Sequence, residues 1–223
     1  MEMQTLSFTP LFRGLTPEET GRALEALDAR RKTFTKEELL LQAGQCVTHM
    51  GLVLKGRVHI EHLDVWGSKT LLGQAGEGDL FAETYACLPQ EPLLVNVTAA
   101  CDGEALFLSA HRLLHPGSEP WLQQMAQNLL QIAARKNLGL ARRNLYTAPK
   151  TIRGRVMAYF SALSVKNGSL TFSLPFDRQQ LADFLGVDRS ALSSTLSQMQ
   201  RDGLLTLGRR TVQLHTAPEE FAL

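Results

Sequence analysis

The stretch FDRQQLADFLGVDRSALSSTLSQMQRDGLL, residues 176–205, decides the fold of the C-terminal part of the chain. Asp177 is placed to accept hydrogen bonds from the first free amides of a helix, and Gln180 completes a capping box. Gly186 supplies the left-handed residue that ends this helix, and Asp188 then caps a second one. Two short helices joined by a tight corner predict a helix-turn-helix.

The second helix is predicted to bury one face and to present the other to DNA. Leu192, Leu196 and Met199 recur at helical spacing and form the inner face. The outer face carries small hydroxyl side chains and one cation, which allow close approach to base edges in the major groove. These candidate base readers are Arg189, Ser190, Ser193, Ser194 and Ser197. Without its context, the same face is equally typical of a solvated, serine-rich helix.

Further DNA contacts are predicted on either side of the second helix. Those at the start of the first helix, placed to hold phosphate, are Arg178, Gln179 and Gln180. After Gly203, two short strands joined by a basic turn predict a two-stranded wing, whose Arg209 and Arg210 can grip the DNA backbone. The alternative for these two arginines is simple solvation.

The first half of the chain is predicted to be rich in strands. Thr16, Pro17 and Glu19 begin a short helix through a capping box. From about residue 34 to 108, short runs of Val, Leu and Thr alternate with glycines. This texture is typical of a small barrel or sandwich.

A long helix is predicted between these two regions, over about residues 119–146. Its seam residues recur at spacings of three and four and are Leu122, Met125, Leu129, Ile132 and Lys136. Such a seam packs either on its own domain or against a second copy of the chain, and its narrowness favours a homodimer. Pro149 breaks the helix and predicts a hinge, after which an amphipathic helix ends near Asn167-Gly168.

Composition and charge narrow the function classes. No apolar stretch approaches the ~20 residues of a membrane helix and no secretory leader is evident, so we expect a cytoplasmic protein without a membrane partner. Cys46, Cys87 and Cys101 lie far apart, which favours neither disulfides nor structural zinc. From residue 147 onward, nine Lys and Arg stand against six Asp and Glu, so the basic excess lies in the predicted DNA-binding part.

In its order of elements and in its motifs, the chain resembles the cyclic AMP receptor/FNR family of transcription regulators. The motifs that carry this resemblance are Leu11-Phe12, Gly14-Leu15-Thr16-Pro17-Glu18-Glu19, Gly56, the cassette Gly78-Asp79-Leu80-Phe81-Ala82-Glu83 and the helix-turn-helix block. The resemblance implies an α+β fold with a β-roll (cupin-like or jelly-roll) sensor domain over residues 1–118. It further implies a central dimerisation helix and hinge over residues 119–148 and a winged helix-turn-helix DNA-binding domain over residues 149–223.

The same resemblance implies a homodimer bound to a palindromic operator in double-stranded DNA. In that family the recognition helix usually begins with arginine and glutamate, and a second arginine follows one turn later. The matching positions are Arg189, Ser190 and Ser194. Because hydroxyls replace the glutamate and the second arginine, we expect an operator that differs from the family's best-known sequence. RNA polymerase is a further expected partner if the protein is an activator, and the sequence leaves activator and repressor open.

The sensor cassette departs from the cyclic-nucleotide pattern. In cyclic-nucleotide sensors of the family, a glutamate matching Glu83 holds the ribose, and an Arg-Ser or Arg-Thr pair binds the phosphate. The positions of that pair fall at Leu93 and Leu94. Because a buried phosphate without a cation is costly to desolvate, we expect no useful binding of cyclic AMP or cyclic GMP.

The sequence instead predicts a small-molecule effector of limited charge in an apolar pocket. The predicted lining comprises Phe81, Ala82, Glu83, Thr84, Leu93, Leu94 and Asn96, closed by the central helix near Asn128 and Arg135.

Several alternatives fit the residues less well. An iron-sulfur sensor needs a cysteine cluster near the N-terminus, which the sequence lacks. Haem has candidate ligands in His49, His59 and His62, but isolated strand histidines are usually structural, so no cofactor is predicted. A thiol switch lacks a flanking charge pattern, and no nucleophile or phosphate-loop motif indicates an enzyme. A ligand-binding module whose winged helix contacts proteins instead of DNA stays open.

Overall fold

The computed structural model describes residues 6–63 and 69–215. The first part of the chain combines strands with two helices. Its elements are α1 (Pro17–Ala26), β1 (Arg30–Phe34), β2 (Leu39–Leu41), β3 (His49–Lys55), β4 (Arg57–Leu63), β5 (Lys69–Gly76), β6 (Leu80–Phe81), α2 (Glu83–Cys87), β7 (Asn96–Ala99) and β8 (Gly103–Ser109). The capping box of Thr16 and Glu19 that was predicted for α1 is confirmed.

The second part of the chain is mainly helical. Its elements are α3 (His111–Leu114), α4 (Pro120–Thr147), α5 (Ile152–Asn167), β9 (Thr171–Ser173), α6 (Arg178–Leu185), α7 (Arg189–Arg201), β10 (Leu205–Leu207) and β11 (Thr211–Leu214). Helix α5 ends at Gly168, whose φ is +59°, as its sequence predicts.

The strands of the first part form two antiparallel sheets of four strands each, in the orders β1-β8-β3-β6 and β2-β7-β4-β5. Val53 and Phe81 of the first sheet meet Val58 and Ala99 of the second in one buried cluster. Gly51 leaves room for the Phe81 ring, since a Cβ at this position would lie 1.9 Å from it. The prediction that the first half of the chain is rich in strands is confirmed.

The other face of the first sheet is covered by helices. Met50 and Leu52 of β3 join a core cluster with Leu122, Met125 and Leu129 of α4. These three helix residues are at most 6% exposed. The interpretation of the seam as a surface for a second copy is therefore wrong for them, because they form the core of their own domain. Spacing predicts an apolar stripe on a helix but not which surface covers it.

The C-terminal helices pack on a small sheet. Phe160 of α5, Leu181 of α6 and Leu196 of α7 share one core, and the sheet order is β10-β11-β9. The predicted two-stranded wing thus has a third strand, β9, which comes from the chain before the helix-turn-helix. Strand β9 pairs with β11, which lies some forty residues further along the chain, so no local pattern links the two.

The chain divides into two compact units, Met1–Arg135 and Lys136–Leu223. The division falls within helix α4, and the predicted hinge at Pro149 lies inside the second unit. The predicted division into a sensor domain, a dimerisation helix and a DNA-binding domain assigns functional roles to residues 1–118, 119–148 and 149–223. This assignment stays a proposal.

Candidate nucleic-acid interface and effector site

Helix α6 begins with the predicted capping box. The Gln180 amide donates to Asp177 Oδ1 over 2.8 Å, and the Asp177 amide donates to Gln180 Oε1 over 3.0 Å. The Gln179 side chain donates to Asp183 Oδ1 over 2.8 Å. Arg178 is half-buried, and this loss of solvent lowers the pKa of its guanidinium, which stays charged. Two of the predicted phosphate contacts are therefore engaged within the helix, and Arg178 supplies the positive charge.

Helix α7 begins at the predicted cap. Asp188 Oδ1 accepts hydrogen bonds from the Ala191 amide over 2.9 Å and from the Ser190 hydroxyl over 2.5 Å. Arg189, the first residue of the helix, is exposed. The cap therefore fixes the start of the helix where the predicted guanine contact lies.

The serines of α7 donate hydrogen bonds back to their own helix. The Ser193 hydroxyl donates to the Arg189 carbonyl over 2.9 Å, and the Ser197 hydroxyl donates to the Ser193 carbonyl over 3.0 Å. With their protons engaged in this way, the two oxygens have lone pairs left to accept hydrogen bonds. Ser194 is exposed between them.

The opposite face of α7 is anchored in the core. Leu192, Leu196 and Met199 are at most 1% exposed. Beyond the end of the helix, Asp202 accepts a hydrogen bond from Arg153 of α5 over 2.8 Å. The structure thus separates a fixed inner face from a polar outer face, as the spacing predicts.

The wing carries both predicted arginines on exposed positions, Arg209 and Arg210. The Leu207 amide of β10 donates to Gln200 Oε1 of α7 over 2.9 Å. Gln200 therefore ties the wing to α7. Sequence reasoning missed this role because a polar residue near a helix end carries no local signal for such a contact.

The sensor cassette lies where β6 leads into α2. Phe81 is fully buried, with its ring centroid 5.7 Å from that of Phe107 in an edge-to-face contact. Glu83 is 5% exposed and Leu93 is 2% exposed. Ala82 has a φ of +57°, the left-handed region that glycine adopts most easily.

Two asparagines of the predicted effector lining bind the protein's own backbone. Asn96 Oδ1 accepts a hydrogen bond from the Ala43 amide over 2.7 Å. Asn128 is buried and donates to the carbonyls of Leu11 and Arg13 over 2.9 and 2.8 Å. Both side chains therefore have a structural role that the sequence did not suggest.

The other residues of the predicted lining are on the surface, and two cavities among the described residues lie elsewhere. The exposed residues are Thr84, Leu94 and Arg135. A cavity of about 390 Å³ lies between α1 and the first sheet, and another of about 290 Å³ lies beside the segment that precedes α1. Neither cavity includes any residue of the predicted lining.

The histidines that suggest haem have other neighbours. His49 Nε2 lies 3.4 Å from Asp28 Oδ2, and His59 Nδ1 lies 3.8 Å from Glu61 Oε1. Over residues 6–63 and 69–215, no three His, Cys, Asp or Glu side chains converge to hold a metal ion.

Two protein-family models match this chain. Residues 31–115 match the cyclic nucleotide-binding domain, and residues 154–218 match the Crp-like helix-turn-helix domain. The chain belongs to the cyclic AMP receptor/FNR family. Members of this family are transcription regulators that bind DNA through the helix-turn-helix and function as dimers.

Full-length relatives support this assignment. The chain is 26% identical to the cyclic AMP receptor protein of Thermus thermophilus, over 96% of this chain and 97% of the relative. It is also 26% identical to the probable transcriptional regulator flp of Lacticaseibacillus casei, over 96% of this chain and 95% of the relative. The fold matches that of OCPA-complexed CprK with a TM-score of 0.66 at 18% identity, covering 90% of this chain and 92% of that one.

As a cyclic AMP receptor/FNR regulator, the protein belongs to a family of regulators and not of enzymes. No helix among the described residues is both long and apolar enough to cross a bilayer. The departures from the family's pattern that the sequence predicts, at Ala82, at Leu93 and Leu94 and at Ser190 and Ser194, stay predictions.

Proposed function

We propose that this regulator reads a palindromic DNA operator with α7, while the start of α6 and the wing hold the DNA backbone. The observation that carries the proposal is the outer face of α7, where Arg189 and a row of serines lie opposite a fully buried face. A two-fold dimer places two such helices on half-sites about one helical turn apart. Arg178, Arg209 and Arg210 supply the positive charge for phosphate contacts.

The hydrogen bonds of the serines indicate what this face reads. Because Ser193 and Ser197 donate to helix carbonyls, their oxygens offer acceptors to base edges. Acceptors favour the amino groups of cytosine N4 and adenine N6, whereas Arg189 favours guanine. We therefore expect a half-site that differs from the family's best-known sequence.

Selection from random duplex DNA, with and without cell extract, tests this proposal. We expect enrichment of a palindrome, and an affinity that falls steeply as salt rises because bound phosphates release counterions. Recovery of the family's usual half-site would contradict the reading assigned to the serines. If no duplex is enriched and any DNA binding is insensitive to salt, the result favours the alternative of a ligand-binding module whose winged helix contacts proteins.

We place the second copy of the chain against the outer face of α4. Leu130, Leu138 and Leu145 are 70%, 50% and 56% exposed, and they recur with Ala134 and Ala141 at spacings of three and four. At about 100° per residue, this stripe lies on the side of the helix opposite Leu122, Met125 and Leu129. The helix thus has one apolar face for its own core and a second for a partner.

The effector is proposed to be a small organic molecule of limited charge and not a cyclic nucleotide. Leu93 is buried, and the resemblance matches it to the position where cyclic-nucleotide sensors of the family carry the phosphate-binding arginine. A cyclic phosphate beside Leu93 loses water without gaining a counter-charge. An aliphatic side chain at this position favours an apolar or weakly polar group.

A further inference from the structure

The C-terminal end of α6 is capped by two arginines that lie outside the helix-turn-helix. Arg143 of α4 donates to the carbonyls of Asp183 and Phe184, in each case over 3.1 Å. Arg155 of α5 donates to the carbonyls of Leu185 and Gly186 over 3.1 and 3.0 Å. We call Arg143 and Arg155 the arginine clamp.

The clamp binds carbonyls that a helix cannot satisfy by itself. The last carbonyls of any α-helix lack partners within the helix and carry the negative end of its dipole. The Val187 amide donates to the Ala182 carbonyl over 3.0 Å, and the Gly186 amide donates to the Asp183 carbonyl over 3.3 Å, so Asp183 shares its carbonyl between Gly186 and Arg143. The carbonyls that follow are bound by guanidinium groups, which form stronger hydrogen bonds than neutral donors do.

The clamp also bridges the predicted hinge at Pro149. Arg143 lies before Pro149 in the chain and Arg155 lies after it, and Arg155 Nε donates to the Pro149 carbonyl itself over 2.9 Å. Beside Arg143, the ring of Tyr146 lies 5.4 Å from that of Tyr159 and 6.0 Å from that of Phe184. The end of α4, the hinge and the corner of the helix-turn-helix are thus joined by charged hydrogen bonds and by aromatic packing.

We propose that Arg143 and Arg155 are positioning residues that fix the corner before α7 to the end of α4. In this arrangement, a change in the course of α4 near Arg143 moves the corner before α7 with it. The consequence for DNA binding rests on the proposed reading role of α7. The clamp itself does not depend on that role, because its hydrogen bonds are a property of the DNA-free protein.

Amide hydrogen exchange of the full-length, DNA-free protein tests the clamp directly. In Arg143→Ala, we expect the amides of residues 184–191 to exchange roughly tenfold faster, because local opening no longer breaks two charged hydrogen bonds. Arg142→Ala is the matched control, since Arg142 is exposed and carries the same charge on the same helix. Arg143→Lys keeps the charge and loses the planar fork, so we expect it to resemble Arg143→Ala. Unchanged exchange in Arg143→Ala would overturn the proposal.

DNA affinity then separates positioning from direct contact. With the duplex recovered by selection, Arg143→Ala is expected to bind roughly tenfold more weakly at an unchanged slope of log affinity against log salt. A slope reduced by about one would mean that Arg143 binds a phosphate, and this would overturn the positioning role. If no duplex is recovered, the proposed function fails, and the exchange experiment still decides whether the clamp exists.

Discussion

At the scale of a single residue, Ala82 stands out because its φ of +57° is unfavourable for an L-amino acid with a Cβ. Left-handed backbone costs an alanine about 1 kcal/mol, and glycine avoids most of this cost. We therefore expect Ala82→Gly to raise the free energy of unfolding by about 0.5–1 kcal/mol, measured by urea denaturation.

The control for this prediction is Ala86→Gly in the same short helix. Ala86 is 3% exposed and lies within α2, so glycine there weakens the helix and removes a buried methyl group. We expect its free energy of unfolding to fall by about 1 kcal/mol or more. If both variants lose stability equally, Ala82 is not strained.

Residues whose partners are close in sequence could be predicted, and residues with distant partners could not. Asp177 and Gln180 form the capping box that their spacing indicates. Asn128 binds Leu11, which lies 117 residues earlier, and no local pattern could indicate that contact. The role of Arg143 could not be predicted either, because its partners are also distant in sequence. A basic residue on a helix is normally solvated, so its residue type gives no signal for such a contact.

At the scale of an element, the start of α7 depends on the carboxylate of Asp188. The hydrogen bond from the Ser190 hydroxyl, followed by that from the Ala191 amide, lowers the pKa of this carboxyl below its usual 3.8. A lowered pKa in the folded state means that the cap stabilises α7 above the unfolded pKa and is lost as pH falls through the folded pKa. At neutral pH the cap is fully present.

We therefore expect Asp188→Ala to lower the Tm at pH 7 by about 2–4 °C, measured by calorimetry. Asp188→Asn keeps an oxygen that accepts the same amide hydrogen bond but loses the charge, so its Tm at pH 7 is expected to lie between those of Asp188→Ala and the unmodified protein. The loss in Asp188→Ala should shrink as pH falls below 4. A loss that stays constant with pH would argue against the carboxylate as the source of the stability.

The elements themselves were predictable where a period or a pair of caps marks them. The spacing of three and four in α4 predicts an apolar seam, and the helix is present. The surface that covers the seam was not predictable, because a helix of 28 residues can bury different faces at different places. Strand β9 was missed because its partner, β11, lies some forty residues further along the chain.

At the scale of the whole molecule, the second apolar face of α4 predicts how two copies associate. Leu138→Glu places a charge in the proposed contact, so we expect the dimer to dissociate at concentrations at least about tenfold higher than before. Leu140→Glu is the matched control, because Leu140 is 62% exposed and lies on the same helix about 120° from the centre of the stripe. Sedimentation velocity over a dilution series measures both variants. Equal weakening in the two would contradict the assignment of this face.

The proposed effector site beside the cassette is tested by comparing substitutions at the buried Leu93 with substitutions at the exposed Leu94. Titration calorimetry with cyclic AMP is expected to show no binding, and micromolar affinity would contradict the role assigned to Leu93.

In a thermal-shift screen of metabolites, a ligand bound beside the cassette should raise the Tm by several degrees at a concentration of about 100 times its Kd. Leu93→Arg should abolish that rise because the buried side chain is replaced by a charge. Leu94→Arg should preserve it, since Leu94 is 70% exposed. Because buried arginine itself lowers stability, Leu93→Met serves as a folded reference of similar volume. A ligand that stabilises all of these variants equally binds elsewhere, for which the cavity between α1 and the first sheet is the next site to test.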